Sequence, residues 1–242
     1  MSFPTDIQGA EGEQFNTYST QTQELGQALV LRDGRKFRYV ENGAALLIVG
    51  NVIQSEAPGA NFDELVTAAA AMGAESITVT TGATAITKNQ FNQGYLMVED
   101  DAGEGHIYRI TEHGATGTTA SAEIPIAGSV AVALTSASTT LLLKSQYKDV
   151  IIMPTTVTGL VIGVAVAPIA ATQFGWVQTH GPAAVLTDGT VVIGQHVRAS
   201  DGTAGTVEAL DRDGSAEDEP EFGWVMSVGA TTEHSMVYLT CE

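Results

Sequence analysis

Phe174-Gly175-Trp176-Val177 and Phe222-Gly223-Trp224-Val225 repeat one phrase near the end of the sequence and between them hold both tryptophans of the chain. Each copy follows a Val/Ala/Gly-rich or loop-like approach and runs on into β-forming residues, which predicts a strand that recurs in a β-rich scaffold. An aromatic residue flanked by glycine lies against a neighbouring backbone while burying a large apolar face. Two readings stand open for Trp176 and Trp224: packing in a core or subunit interface, which the alternation around each supports, and a platform on which a sugar stacks.

Outward from this phrase the chain is punctuated by turn pairs. Ala28-Leu29-Val30-Leu31, the pair Asp33-Gly34 and Phe37-Arg38-Tyr39-Val40 read as strand, turn, strand, because aspartate followed by glycine supplies the positive φ angles of tight hairpins. Asn42-Gly43 predicts the next turn and Ala45-Leu46-Leu47-Ile48-Val49 the next strand. Asp188-Gly189, Asp201-Gly202 and Asp213-Gly214 repeat the chemistry. Turn signals at roughly ten-residue spacing indicate an all-β chain, an antiparallel β-barrel or sandwich.

One segment is ambiguous. Asn61-Phe62-Asp63-Glu64 resembles a helix start, and Phe62, Leu65, Val66 and Ala69 fall at helical spacing. The following residues alternate through Ser76-Ile77-Thr78-Val79-Thr80, which favours strands folded about Gly73. Between Pro58 and Pro154 runs a self-contained strand series that includes Tyr95–Val98, a turn at 99–103, His106–Ile110 and Thr140–Leu143. The stretches on either side, Gly50–Gln54 and Gly159–Val166, read as consecutive strands of one barrel. The expected organisation is a β-barrel domain from 25–58 and 155–242 with an inserted second β-domain, 59–154.

Residues 1–24 carry Gln/Thr-rich sequence with isolated aromatics and no apolar period, too polar to order themselves. They are expected to form a flexible, extended N-terminal arm that orders on a partner by adding a strand to a sheet edge, with Phe15 and Tyr18 filling pockets.

Charge narrows the function classes. The formal charge is −18, from 28 acidic against 10 basic residues, although only 16% of residues are charged. Lysine and arginine are scarce, and both phosphate backbones and anionic lipid headgroups need them, so neither nucleic acid nor membrane is an expected partner. The low-lysine surface also fits a marine or hypersaline source. Cys241 alone forms no internal disulfide. The start, Met1-Ser2-Phe3-Pro4-Thr5-Asp6, has no basic and apolar leader pattern. No apolar run approaches the ~18 residues of a membrane helix, since Gly159–Ala171 is broken by Gly163 and Pro168. A soluble protein made in the cytoplasm is expected.

Several phrases, in order, resemble the head decoration or cement proteins of tailed viruses. They are Leu31-Arg32-Asp33-Gly34-Arg35-Lys36-Phe37-Arg38-Tyr39 with Asn42-Gly43-Ala44-Ala45, then Thr80–Thr87, Gln90–Tyr95, Gly103–Ile110, and Phe174–Pro182. The resemblance spans about residues 25–240. It implies a structural virion protein on the outer capsid surface that clamps neighbouring major capsid protein subunits, oligomeric, with a trimer favoured. That family offers no catalytic residues to carry over, so the expectation is a protein without enzymatic activity, metal or cofactor. Phe15, Tyr18, Trp176 and Trp224 are the candidate capsid or subunit interface. The rivals are an exposed head-fibre or adhesion module that binds host surface glycans, and a tail or baseplate component.

The five histidines, His106, His113, His180, His196 and His234, lack metal-ligand spacing, although a hairpin would bring His106 and His113 together near Glu104 or Glu112. Asp211-Arg212-Asp213-Gly214-Ser215 begins like a calcium loop, but glycine falls at the fourth position and Phe222 at the twelfth. It reads as a solvated acidic loop, as do Glu99, Asp100, Asp101 and Glu104. No nucleophile elbow, phosphate-binding loop or dinucleotide fingerprint is present.

Overall fold

The computed structural model describes residues 6–210, 220–230 and 233–242 of the chain. The calcium-like loop with its acidic continuation to Glu219, and the Asp213-Gly214 pair, lie outside the described residues. The chain folds as two compact units, one from Met1–Ala57 with Gln146–Glu242, the other Pro58–Ser145. In chain order the first unit contributes β1 (Asp6–Gln8), β2 (Thr17–Tyr18), β3 (Ala28–Val30), β4 (Lys36–Glu41) and β5 (Val52–Gln54). The second holds β6 (Leu65–Val66), β7 (Ser76–Thr80), β8 (Tyr95–Asp100), β9 (Ile107–Arg109), β10 (Ser121–Pro125) and β11 (Thr139–Leu143). The chain then returns to the first unit with β12 (Ile151–Ile152), β13 (Val161–Ala165), β14 (Phe174–Leu186), β15 (His196–Ala199), β16 (Val207–Ala209), β17 (Glu221–Ser227) and β18 (His234–Thr240). Gln146–Met153 run with this unit because β12 pairs with β5, and Val150 and Glu41 exchange a backbone hydrogen bond at 3.0 Å.

The protein is nearly all β, and its antiparallel sheets make a sandwich-like fold. The barrel expected as one option is not formed: among the described residues no sheet closes on itself. In the first unit β1-β3-β4-β14-β18-β17-β15-β16 lie side by side, and β13 joins β14 to β5. The thirteen-residue β14 is the spine, antiparallel to β4 along its first half and to β18 along its second. The Asp33-Gly34 hairpin stands as read, with Gly34 at φ +88° and β3 paired to β4 from Ala28↔Arg38 to Val30↔Lys36. Burial works against the Asp33 carboxylate, but hydrogen bonds donated by Arg35, one from its guanidinium Nε at 2.6 Å, hold it below its usual pKa.

Phe37, Tyr39, Phe174 and Trp176 pack with Leu25, Leu29 and Leu31 as an aromatic core. Tyr39 stacks on Phe174 at 5.9 Å and meets Trp176 edge-on at 5.1 Å. Phe222 fills a second core with Val185, Val197, Val225, Val237 and Leu239.

Two expectations in this unit need correction. Asn42-Gly43 is not a hairpin turn, and Ala45–Val49 is not a strand. Asn42 is fully buried, and its Nδ2 donates to the carbonyls of Ala45, Ile169 and Ala170 at 2.7–3.0 Å, tying distant backbone together. The chain that follows touches its neighbour by one bridge, Leu47↔Ile169. Leu47 is buried while Leu46, Ile48 and Val49 are exposed.

The arm is a third correction, for residues 6–24. β1 runs parallel to β3 from Asp6↔Ala28 to Gln8↔Val30, and β2 pairs with the start of β14. Gln14 is buried and accepts from the Gly12 N–H at 2.8 Å, while Thr22 N–H donates to the Tyr39 hydroxyl at 3.1 Å. A polar composition deprives a segment of a core but not of backbone hydrogen bonds, and the edge of β3 supplies them within the same chain.

The second unit has two sheets, β6-β11-β8-β9 and β10-β7, linked at one side by the bridge Thr67↔Val79 and at the other by Ile110↔Ile126. Ile77, Val79, Ile86, Phe91, Leu96, Ile110 and Ile124 fill the space between. The helix-like segment is a short 3-10 turn, Ala60–Phe62, followed by β6, so the strand reading stands. The bridge Thr67↔Val79 is centred on Gly73, the residue about which the hairpin was expected.

Candidate docking face

The two copies of the Phe-Gly-Trp-Val phrase lie on strands separated by β18 alone. Leu239 pairs with both Gly181 and Gly223, and Tyr238 with both Pro182 and Trp224. Their tryptophans nevertheless have opposite fates. Trp176 is 5% exposed inside the aromatic core, and Trp224 is 41% exposed. The cause is a bulge in β17. Val197 pairs with Gly223 while the next residue, Arg198, pairs with Glu221, which leaves Phe222 as an extra residue. A bulge breaks the two-residue period, so Phe222 and Gly223 both turn inward and Trp224 turns out. Gly223 takes φ +147°, and a Cβ there would overlap the Tyr238 carbonyl.

Trp224 stands in an apolar patch built across three strands. Ala184, Met236 and Met226 are exposed on β14, β18 and β17, and Tyr238 is half-buried directly opposite Trp224. A turn adds to the rim: Gln195 N–H donates to the Val192 carbonyl at 3.0 Å, with Gly194 at φ +82°. Gly194 N–H and the Val225 carbonyl fix that turn beside β17 at 2.8 Å, which leaves Val192 and Ile193 61% and 67% exposed. The outward positions Pro182, Ala184, Leu186, Trp224, Met226, His234, Met236 and Tyr238 include no Lys, Arg, Asp or Glu. On a chain of formal charge −18 this is a selected composition: tryptophan, methionine and tyrosine are the residues enriched where proteins meet.

Polar groups occur at the rim. The His196 ring meets Trp224 edge-on at 4.8 Å and shares a 2.9 Å hydrogen bond with the Glu221 carboxylate. His234 Nε2 lies 3.1 Å from the Val49 carbonyl, so exposed Val49 sits beside the same face.

Of the four residues singled out in the sequence, then, only Trp224 belongs to this face. Phe15 is 54% exposed at the end of a 3-10 turn, Glu13–Phe15, and Tyr18 is half-buried against Tyr39 at 6.1 Å. Trp176 presents no face to a partner. Met226 and Met236 escaped the sequence reading; outward alternation in β18 was the available signal for Met236, whereas Met226 lies at a second bulge.

The histidines and acidic residues considered as ligands are dispersed. His113 is buried and accepts the Phe91 N–H at 3.0 Å through Nε2, so its Nδ1 carries the hydrogen that faces the Gly114 carbonyl at 2.9 Å. His106 has its own partner, the Gly103 carbonyl, at 2.8 Å. Asp101 accepts from the Thr135 hydroxyl, which lowers its pKa, and Glu99 accepts the Glu64 N–H at 3.1 Å. Burial, reinforced by Asp63 and Glu64, raises the Glu99 pKa. Among the described residues no three His, Cys, Asp or Glu side chains converge as a metal would require. No helix among the described residues is long and apolar enough to cross a membrane. Compared with known proteins, the chain matches no family model, no curated protein and no solved structure.

Proposed function

We propose that the protein is a structural virion component that decorates the outer capsid surface and cements neighbouring major capsid protein subunits. One observation carries the reading: an uncharged Trp/Met/Tyr face on paired strands of an otherwise acidic chain. Such a face works by leaving water, at ~25 cal/mol per Å² of apolar area before the cost of association. Modest contacts suffice when many copies repeat over a shell. The proposed partner, the major capsid protein, rests on the resemblance of the ordered sequence phrases to cement proteins.

The test is addition of the purified protein to shells stripped of decoration, with occupancy counted by cryo-electron microscopy. Trp224→Ala and Met236→Ser are expected to weaken attachment by tenfold or more, the equivalent of ~1.4 kcal/mol, without unfolding the protein. Equal occupancy by both variants removes this face from the contact.

A second reading has its own support. Exposed Trp224 with the His196–Glu221 pair at its edge offers a stacking surface beside hydrogen-bonding groups, the arrangement an adhesion module uses on a sugar. Binding of host surface glycans that is lost in Trp224→Ala, with no binding to shells, favours the adhesion module.

A further inference from the structure

The second unit presents a different apolar face. In β6-β11-β8-β9 the residues that point away from the core stand in register as three rungs. Leu141, Met97 and Ile107 form the middle rung across three strands, and Leu143, Tyr95 and Arg109 form the next. On the other side of the middle rung come Val66, Thr139 and Asp100. Ile107 is 61% exposed and Tyr95 45%, with Met97, Leu141 and Leu143 half-buried.

The charges on this face are ordered. Arg109 occupies one end, and Asp100 with Glu99 the other. From this arrangement we infer that the face pairs with the same face of a second copy of the chain, about a two-fold axis along the Leu141-Met97-Ile107 rung. That axis lays the Tyr95 rung of one copy over the Asp100 rung of its partner, so each Arg109 approaches the partner's carboxylates. A two-fold axis along β8 instead lays Arg109 over the partner's Leu143 and Asp100 over Asp100, which leaves the carboxylates facing each other. A self-complementary patch is what a two-fold interface requires, and aligned sheets stack at ~10 Å with a twist of about 30°, which lets the rungs interdigitate. The inference goes beyond the shell contact and does not depend on it.

The area is small. Strand spacing of ~4.8 Å and rise of ~3.3 Å per residue give a face of about 300 Å² per copy, below the standard ~800 Å² per partner. Pairing is therefore weak in dilute solution and favoured wherever copies are concentrated.

Sedimentation velocity of the full chain from micromolar to millimolar concentration tests it. The expected result is a reversible monomer–dimer equilibrium, abolished by Ile107→Asp, weakened at least tenfold by Arg109→Glu, and restored by Arg109→Glu combined with Asp100→Arg. Ile107 and Arg109 are exposed, and circular dichroism checks that each variant folds before its association is compared. Absence of association up to millimolar protein, a dimer indifferent to Ile107→Asp, or failure of the charge exchange to restore pairing overturns the inference. Because no shell is present, the outcome is separate from that of the decoration experiment.

Discussion

The backbone of Gly223 runs against the carbonyl of Tyr238 so closely that no side chain fits between them. That approach sits at the bulge that turns Trp224 to the surface, so the docking face depends on a residue that has no side chain. Gly223→Ala is expected to cost more than the ~1–3 kcal/mol of backbone strain alone, because the Cβ must also displace β18. Chemical denaturation measures it, and an unchanged midpoint would mean that the strand pair tolerates the displacement.

The two tryptophans should separate cleanly in mutagenesis. Trp176→Ala opens a hole beside Tyr39 and is expected to lose about 3–5 kcal/mol. Trp224→Ala should lose less than ~1 kcal/mol while reducing docking. Equal losses of stability would contradict the opposite burial of the two side chains.

Cys241 reports on the C-terminal strand. Burial, with Glu242 beside it, pushes the thiol pKa up to about 12. A folded pKa above the unfolded one means that the native state holds its proton longer, so this stability is complete below the ordinary thiol range and is lost as pH rises toward about 12. Labelling by iodoacetamide near pH 8 should be slow in the native protein and fast in denaturant. Rapid native labelling would place the thiol in water.

His113 anchors the second unit by accepting the Phe91 N–H. His113→Phe keeps the ring but strands that donor, at a cost of ~1–3 kcal/mol. Amide exchange at Phe91 should accelerate by tenfold or more, and unaltered protection would show that another acceptor takes over.

Docking through an uncharged face should respond little to sodium chloride, since Debye screening acts on charges. Sulfate, which is excluded from protein surfaces, should strengthen it. A steep fall in occupancy with added sodium chloride would assign the contact to ion pairs elsewhere.

Much of this fold was legible in local chemistry. Asp33-Gly34 marked its hairpin, alternation found β7, and short apolar runs found β8 and β11. Whether sheets close into a barrel or stay open is decided by long-range pairing, which alternation does not encode. The arm escaped because composition reports side chains, and its order comes from backbone pairing with β3 and β14. Asn42 looked like a turn residue because its use, three hydrogen bonds to carbonyls, two of them about 130 positions away, appears only in three dimensions. Trp224 was found as a residue, but its difference from Trp176 rests on one unpaired position in β17 that no repeat of letters announces.

The pairing of β5 with β12 also bears on the order in which the chain folds. These strands are separated in sequence by the whole of the second unit, and a disordered loop of that length is slow to close. Within the second unit, however, β6 pairs with β11 at Leu65↔Thr140, and these strands lie near its two ends. An insert that folds first therefore gathers its own ends and hands the first unit a short connection in place of a long one. Destabilising the insert, for instance by Ile124→Ala, is then expected to slow the folding of the first unit, followed by the fluorescence of Trp176; an unchanged rate would mean that the first unit closes its sheet without help.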